Sequence, residues 1–404
     1  MMAMLAGDVG LTAHTRPIPP ATGPEERLAR LRLARSENVG PRTFLTLLSR
    51  FGRATQAVEV LPELAARGGK RHYELCPEPM AAREIERGEA AGASLVLLGD
   101  DAYPRRLAAI PNPPPAIWLM GDAAVLSRPA IAVVGARNAS ALGLRQARRL
   151  ALGLADAGQL VVSGLARGID RAAHEAVLDG CGTTAAVLPG GIDVVYPEEH
   201  APVARRIAGS GGAVVTECPP GTEATARHFP RRNRLVSGLS DGVVLVEAAA
   251  RSGSLITARC ALEQGREVLA CPGAPEDPRA AGCNELIRDG AALVRHASDV
   301  LEAIAPLRHR GFGEGADDFR FDLDAFDDGA GIDDFSDLDP EGAEEDSALA
   351  EQIMALISTA PVETDELARL SGASPAQLSL VLLELDLAGR IALLPGGLVV
   401  LRAD

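Results

Sequence analysis

The alternation of apolar and polar positions divides the chain into helices at the start, short apolar runs in the middle and a compact tail. Residues 25–90 predict a helical domain, with EERLARLRLARS, TFLTLLSRFG and AREIERGEAAG as its clearest helices. The turn Asn38-Val39-Gly40-Pro41 is of the kind that joins helix–hairpin–helix pairs, and it either binds a DNA phosphate or simply closes a helical bundle. Residues 1–24 lack the basic start and apolar stretch of a signal peptide, so we expect a disordered leader.

From residue 91 to residue 305 short apolar runs alternate with helical stretches. The runs are SLVLL, AIAVVG, LVVSG, TTAAVL, GAVVTE, GVVLVEA, EVLACP and AALV. Their nearly continuous apolar character is typical of strands buried on both faces, so the sequence predicts an α/β domain with a Rossmann-like, doubly wound, mostly parallel sheet. Ligands of such sheets bind at the carboxyl ends of the strands. The turns that follow the strands are therefore the places to search for function.

Two further regions follow the sheet. Residues 306–346 are rich in Asp, Gly and Phe and predict an acidic, disordered linker. Residues 347–404 predict three helices and a hairpin, the order of a winged-helix-like domain. The helix that would read DNA in such a domain begins at Pro375 and holds no Arg or Lys before Arg390. Because a helix on phosphates needs positive charge, we expect this helix to contact protein.

Charge and composition narrow the classes of function. The formal net charge is −15, but residues 311–346 hold fifteen Asp or Glu and one Arg, a local balance of −14. The rest of the chain is close to neutral, so DNA is not excluded as a ligand. The sequence has no P-loop motif, no nucleophile beside a base and no metal-binding cluster, and we predict a non-enzymatic protein without cofactor or metal. Scattered cysteines and the lack of a long apolar run predict a cytoplasmic location.

Four turns at strand ends carry residues suited to phosphate. Glycines allow a close backbone approach, hydroxyl groups cap helices, and helix N-termini attract anions. Each turn taken alone is equally typical of an ordinary Rossmann turn, and Asp170 with His174 is better explained by helix capping than by acid–base chemistry. The candidate DNA-binding residues in these turns are Gly135, Arg137, Ser140, Ser163, Gly164, Arg167, Gly190, Gly191, Ser252, Gly253 and Ser254.

The most informative segment is an arginine cluster at residues 227–234. It holds four arginines in eight residues, and no acidic residue lies between Glu223 and Asp241. Guanidinium groups can neutralise successive phosphates, and a phenylalanine can stack on a base. A solvent-facing helix start is the alternative. The candidate DNA-binding residues here are Arg227, Phe229, Arg231, Arg232, Asn233 and Arg234.

Taken together, these motifs resemble the DNA-processing protein A (DprA/Smf) family. The resemblance rests on VGAR at 134–137, SGLARGID at 163–170, GGIDVVYP at 190–197, FPRRNRLVSGLS at 229–240 and VEAAARSGSLITA at 246–258. It implies an N-terminal domain of the SAM or helix–hairpin–helix type. It further implies that a homodimer binds single-stranded DNA in a positively charged pocket of the Rossmann-like domain and loads RecA recombinase during natural transformation. Arg137, Phe229 and Arg232-Asn233-Arg234 match the pocket residues of the family.

Two alternatives remain open at the level of sequence. The first is a nucleotide-processing hydrolase of the LOG type, which uses a similar sheet and glycine-rich loops. Its Pro-Gly-Gly-x-Gly-Thr motif is not matched, because Pro189-Gly190-Gly191 continues as Ile192-Asp193. The second is a scaffold whose arginine cluster binds an acidic protein.

The acidic linker generates a first prediction. Because its local charge is −14, it can compete with DNA for a basic pocket. Deleting residues 311–346 should tighten binding to oligo-dT, measured by fluorescence anisotropy at low salt. Unchanged affinity would count against this competition.

Overall fold

The computed structural model of the protein describes residues 18–309, 342–394 and 396–402. Most of the expected leader and most of the expected linker lie outside the described residues. The chain divides into two compact units. Residues 20–34 and 76–309 belong to one, here called the sheet unit, and residues 35–75 and 342–402 belong to the other, the terminal unit. The predicted helical segment 25–90 is thus shared between the two units.

The sheet unit contains nine strands. In chain order they are β1 Ser94–Leu97, β2 Ala116–Gly121, β3 Ala130–Val134, β4 Leu160–Ser163, β5 Thr184–Val187, β6 Ala213–Thr216, β7 Gly242–Leu245, β8 Glu267–Ala270 and β9 Ala292–Leu293. They form one sheet in the order β1-β2-β6-β5-β4-β3-β7-β8-β9. Seven neighbouring strands, β6, β5, β4, β3, β7, β8 and β9, run parallel to one another. At the β6 edge, β2 pairs antiparallel with β6 and β1 pairs antiparallel with β2. The prediction of a mostly parallel, doubly wound sheet is confirmed.

The order in which successive strands are added to the sheet changes direction next to β3. This strand pairs with β4 on one side and with β7 on the other. The connections after β3 and β7 therefore diverge and leave a crevice at their carboxyl ends, where ligands of such sheets bind.

Fifteen α-helices accompany the strands in the described residues. In chain order they are α1 Pro24–Arg35, α2 Pro41–Phe51, α3 Ala54–Arg67, α4 Glu78–Ala90, α5 Arg105–Ala108, α6 Ala141–Asp156, α7 Ile169–Asp179, α8 Ala201–Gly209, α9 His228–Gly238, α10 Ser254–Glu263, α11 Ala281–Arg288, α12 Ala297–His309, α13 Gly342–Leu356, α14 Thr364–Ser371 and α15 Pro375–Leu387. No helix of the described chain combines the length and the apolar character needed to cross a membrane.

Strand β2 is an element that the apolar pattern missed. The segment just before it contains Pro111 and Pro113–Pro115 and therefore reads as a loop. Tertiary packing makes it a strand, because Trp118 is fully buried and its Nε1 donates to Glu84 Oε1 over 3.0 Å. Gly88 of α4 allows this packing, since a Cβ there would lie 2.0 Å from the indole ring.

The terminal unit joins two helices from the start of the chain to the winged-helix tail. Helices α13, α14 and α15 are followed by a small antiparallel sheet, in which β12 Leu398–Leu401 lies between β10 Val362–Glu363 and β11 Ile391–Leu394. The predicted winged-helix order is confirmed. Helix α3 was not among the helices predicted from sequence, and Pro62 lies inside it.

Helix α15 is buried on both sides. Residues 381–387 form an unbroken buried run. On one side they complete the winged-helix core, and on the other they pack on α2 and α3, where a Cβ on Gly68 would lie 2.0 Å from the Glu384 carbonyl oxygen. The second half of this helix therefore contacts protein within its own chain.

Polar contacts attach α15 to helix α2 and to the turn that precedes it. The Thr43 hydroxyl donates to Asp386 Oδ2 over 2.7 Å, and Asn38 Nδ2 donates to the Leu387 carbonyl over 2.9 Å. Arg402 Nη1 donates to Asn38 Oδ1 over 2.7 Å. The turn proposed for a DNA phosphate is also bonded within itself, with the N–H groups of Val39 and Gly40 donating to local carbonyls.

The Thr43–Asp386 contact generates a prediction about stability. Burial raises the pKa of the Asp386 carboxyl, while the Thr43 hydroxyl and Arg402 oppose the shift. Replacing Thr43 by Val keeps the shape but leaves a buried acceptor without its donor, which should cost about 1–3 kcal/mol. Hydrogen exchange of the α15 amides should accelerate accordingly.

The matched control is Ser49→Ala, which removes only a local hydroxyl bond to the Thr46 carbonyl. The double variant Thr43→Val/Asp386→Leu, which removes both partners, should recover part of the loss. Equal exchange rates in Thr43→Val and Ser49→Ala would contradict the stabilising role of this contact.

Candidate nucleic-acid interface

A cavity of about 750 Å³ lies in the crevice at the carboxyl ends of β3, β4 and β7. Its walls come from the turns after these strands and from α9. Four arginines line it, whereas among the described residues Asp170 is the acidic residue in its lining. The cavity is therefore strongly positive although the chain as a whole is acidic. The predicted site residues that line it are Gly135, Arg137, Gly164, Phe229, Arg232, Asn233, Ser252, Gly253 and Ser254.

Arg232 forms the base of the cavity. It is 5% exposed, and its Nη1 donates to the Val187 carbonyl over 2.7 Å and to the Gly164 carbonyl. Burial lowers the pKa of this guanidinium to about 10, which still leaves it charged at neutral pH. Gly164 is required for the close approach, because a Cβ at this position would lie 1.9 Å from Nη1. Arg232 thus ties α9 to the ends of β4 and β5.

Asp170 closes the turn after β4. Its Oδ2 accepts the N–H groups of Gly164 over 3.1 Å and of Ala166 over 3.4 Å. Burial raises the pKa of this carboxyl, and the charge of Arg232 together with the two backbone N–H groups opposes the shift. The backbone groups that a phosphate would use in this turn already have an internal acceptor.

Arg137 and Phe229 form a contact at the mouth of the cavity. The guanidinium carbon of Arg137 lies 4.6 Å from the centre of the Phe229 ring, in a cation–π arrangement. The ring of Tyr196 meets Phe229 edge-on, with centres 5.7 Å apart and an angle of 75° between the planes. A smaller adjoining cavity is lined by the same Arg137 and Phe229 together with Arg167, Tyr196 and Pro197.

The N-terminus of α6 is occupied by a carboxylate of the protein. Ser140 caps this helix by accepting the Gly143 N–H over 2.9 Å. Glu247, in the turn after β7, accepts the Ser140 N–H over 2.9 Å and also the Ser140 hydroxyl. Ser140 is therefore bonded within the protein, and Glu247 occupies the place for which the sequence predicts a phosphate.

The N-terminus of α10 is arranged differently. Ser252 and Ser254 lie at its start, their hydroxyls 2.7 Å apart, and both line the cavity together with Arg251. Asn233 Nδ2 donates to the Gly253 carbonyl over 3.2 Å and so attaches α9 to this turn. Arg251 is exposed and has no hydrogen bond or ion pair to another described residue. Hydroxyls, a helix N-terminus and an uncommitted guanidinium are the groups that bind phosphate.

Several predicted residues lie outside the large cavity. Ser163 is buried and donates to the Val133 carbonyl over 2.6 Å. Gly190 and Gly191 are buried against the 219–224 loop. Arg234 pairs with Glu217 and donates to the Asn112 carbonyl over 2.6 Å. The geometry therefore gives these four residues structural roles.

The three remaining arginines are exposed but differently placed. Arg227 directly precedes α9, and the Nε atom of Arg231 lies 3.8 Å from Glu217 Oε1. Neither residue lines the large cavity. Arg167 pairs with Glu199 over 2.8 Å beside the smaller cavity. Direct phosphate contact by these residues stays a prediction.

Two arginines that line the cavity were not predicted as site residues. Arg251 follows β7 and Arg279 follows β8, where Arg279 pairs with Asp277 over 3.1 Å. Both lie in turns after parallel strands, so the rule that located the other turns would have found them. The sequence motifs instead predicted the serines before α10 and the arginine cluster at residues 227–234 as site residues.

His174 lies behind the cavity and is fully buried. The Thr184 hydroxyl donates to the Val161 carbonyl over 2.6 Å. Because its hydrogen is engaged there, the Thr184 oxygen accepts the His174 Nδ1–H over 2.7 Å. Nε2 has no partner among the described residues. Burial, with Arg232 and His200 nearby, lowers the pKa of His174 from 6.5 to about 3. The expected capping explanation for Asp170 and His174 agrees with this neutral, packed imidazole, and the described residues hold no group of three potential metal ligands.

The neutral His174 generates a prediction about pH. In the unfolded chain this imidazole takes up a proton near pH 6.5, whereas in the folded chain it stays neutral down to about pH 3. Its contribution to stability is therefore lost as the pH falls, by about 1.4 kcal/mol per pH unit between about pH 6 and pH 4. Urea unfolding at several pH values should show a shallower acid slope in His174→Asn, which keeps a donor for Thr184. Identical slopes would contradict the buried neutral state.

Comparisons with known proteins agree with this architecture. The family model for DNA recombination-mediator protein A matches residues 94–305, the DprA-like N-terminal HHH domain matches residues 24–86, and the DprA winged helix domain matches residues 339–397. The chain is 40% identical over 309 residues to Protein Smf of Escherichia coli strain K12, covering 76% of this chain and 77% of that protein. It is 39% identical over 227 residues to DNA processing protein DprA of Bacillus subtilis, covering 56% and 76%.

A solved structure shows the same likeness. The X-ray structure of DNA processing protein A from Streptococcus pneumoniae matches with a TM-score of 0.57 and 33% identity, covering 69% of this chain and 97% of that one. The family predicted from the motifs is confirmed: the chain belongs to the DNA recombination-mediator protein A family, known as DprA or Smf.

Proposed function

We propose that this protein binds single-stranded DNA in the arginine-lined cavity at the carboxyl ends of β3, β4 and β7. The observation that carries the proposal is the lining itself, in which three guanidinium groups and one aromatic ring border a space of about 750 Å³ that has a fourth guanidinium, that of Arg232, at its base. Arginines neutralise phosphates, and a half-buried ring offers a stacking surface that is independent of base identity. Arg137, Arg251 and Arg279 are the direct phosphate ligands, and Arg232 holds the cavity in shape.

The position of the aromatic ring favours a single strand over a duplex. Phe229 is half-buried at the mouth of the cavity, where a base can reach it only after leaving its partner and its stack. In the terminal unit, the second half of α15 is buried between the winged-helix core and α2/α3, and the helix contains no Arg or Lys to face a groove. The described part of the chain thus has groups for unpaired nucleotides, and its winged-helix domain lacks a basic helix for reading a duplex.

The cavity gives little support to the nucleotide hydrolase. Hydrolysis needs a carboxylate or another base free to activate water. Asp170, the acid in the described lining, accepts two backbone N–H groups and is buried, and Glu247 is bonded to Ser140. We therefore retain binding, and not catalysis, as the function.

The next step of the proposal is delivery of the bound strand to RecA recombinase in natural transformation or recombination, by a homodimer in the cytoplasm. Its support is membership of a family described as recombination mediators, together with relatives named DNA processing protein. A site that holds the backbone at a few arginines and leaves most bases outside a small cavity is suited to handing a strand to another protein.

The test is fluorescence-anisotropy binding to oligo-dT and to a duplex of the same length. Wild type should prefer the single strand. Arg251→Ala and Arg137→Ala should each weaken oligo-dT binding about tenfold and lower the salt slope by about 0.7, as expected when one phosphate contact is lost. Arg232→Ala is unsuitable as a contact probe, because it would remove the bonds to Gly164 and Val187.

The matched control is Arg205→Ala, an exposed arginine of α8 that does not line the cavity. It removes the same charge and should leave affinity within about twofold of wild type. Equal losses in Arg205→Ala and Arg251→Ala, or equal binding to the duplex, would overturn the assignment of the cavity. If single-strand binding is established, the RecA step is tested by the DNA-dependent ATPase of RecA on strands coated with a single-strand-binding protein, which the wild type should accelerate.

A further inference from the structure

The contact between Arg137 and Phe229 places two candidate DNA ligands against each other. The guanidinium carbon of Arg137 lies 4.6 Å from the ring centre, over the face of Phe229. The ring of Tyr196 packs against the same ring in a T-shaped arrangement, with the centres 5.7 Å apart. Both Arg137 and Phe229 line the large cavity and the smaller one beside it, and the pair therefore stands at the junction of the two.

This arrangement sets the two expected roles in conflict. A base that stacks on Phe229 needs a face of the ring, and the guanidinium of Arg137 covers a face. A phosphate that binds Arg137 in turn draws the guanidinium into a planar pair of hydrogen bonds, which is stronger than its attraction to the ring. In the free protein each group thus occupies the other's binding surface.

We propose that DNA binding exchanges these partners: an unpaired base takes the place of the Arg137 guanidinium on Phe229, and the released guanidinium binds the adjacent phosphate. The inference rests on the proposed single-strand binding and adds to it a coupling between base and backbone. When a strand presents both a base and a phosphate, stacking of the base on Phe229 compensates for the lost cation–π contact. A ligand with phosphates alone breaks the contact and gains no stacking in return. The pair therefore acts as a specificity element for strands with accessible bases.

Tyr196 is a positioning residue in this exchange. It is 46% exposed, and its ring lies steeply inclined to that of Phe229, with the ring centres 5.7 Å apart and 75° between the planes. Its contact can persist when Arg137 leaves, which keeps the ring in place for the incoming base.

The experiment compares oligo-dT with an abasic oligonucleotide of the same number of phosphates, for wild type, Phe229→Leu, Arg137→Leu and the double variant. Phe229→Leu should weaken oligo-dT binding about fivefold or more, because stacking is lost. It should tighten abasic binding about two- to fivefold, because no cation–π contact has to be broken. In the Arg137→Leu background Phe229→Leu should leave abasic binding unchanged.

The other outcomes are each decisive. Weaker binding of both probes by Phe229→Leu would mean that the ring only supports the cavity, and unchanged abasic binding would mean that a base stacks without displacing Arg137. Both overturn the exchange. If the wild type binds neither oligo-dT nor the abasic oligonucleotide, the proposed single-strand binding itself is refuted.

A measurement on the wild type covers the case in which Phe229→Leu does not fold. In the free protein the ring current of Phe229 should shift the NMR signal of the Arg137 Nε–H group. Addition of oligo-dT should abolish this shift. A shift that persists at saturation would overturn the exchange independently of any variant.

Discussion

The candidate interface depends on one buried guanidinium. Arg232 bonds the carbonyls of Gly164 and Val187, at the ends of two neighbouring strands, and thereby fixes α9 against the sheet edge. Phe229 and Asn233 lie one turn before and one residue after it on the same helix, so their positions follow from this attachment. A charge buried in this way is tolerated because carbonyl oxygens satisfy it and because Asp170 lies near enough to favour its charged form. A residue in the middle of the most basic segment thus supports the site from below.

The protein differentiates among helix N-termini that look alike in sequence. The turns after β3, β4 and β7 each combine small residues with hydroxyls or acids at the start of a helix. Glu247 fills the first and Asp170 the second, which neutralises them from within. The start of α10 has serines and an exposed arginine instead. Internal carboxylates therefore concentrate the positive potential in one part of the crevice, even though the sheet offers several equivalent places.

The fold was predictable to a large extent and the site only in outline. Continuous apolar runs identified the parallel strands because both faces of those strands are buried, but β2 was hidden behind prolines and depends on the packing of Trp118 against Gly88. The large cavity lies among the turns after strands, where the sequence predicts a ligand. The partners of individual side chains were not predictable, because Ser140 meets Glu247 across 107 residues and Arg232 meets Gly164 across 68. Arginine density marked α9 as important, yet it could not distinguish an arginine that faces the cavity from one bonded to carbonyls beneath it.

The composition of the terminal unit has a consequence for the order in which the protein is made. Its helices α2 and α3 are separated along the chain from its last helix, α15, by residues 76–309 of the sheet unit, and the Thr43–Asp386 bond spans 343 residues. At about 5–20 residues per second, a ribosome needs roughly 20–70 s to pass from one partner to the other. During that interval the sheet unit can fold, since all of its segments have emerged, while α2 and α3 still lack the helix that covers them. The terminal unit is therefore completed last, and a nascent chain exposes an apolar helical hairpin that must be protected until α15 leaves the ribosome.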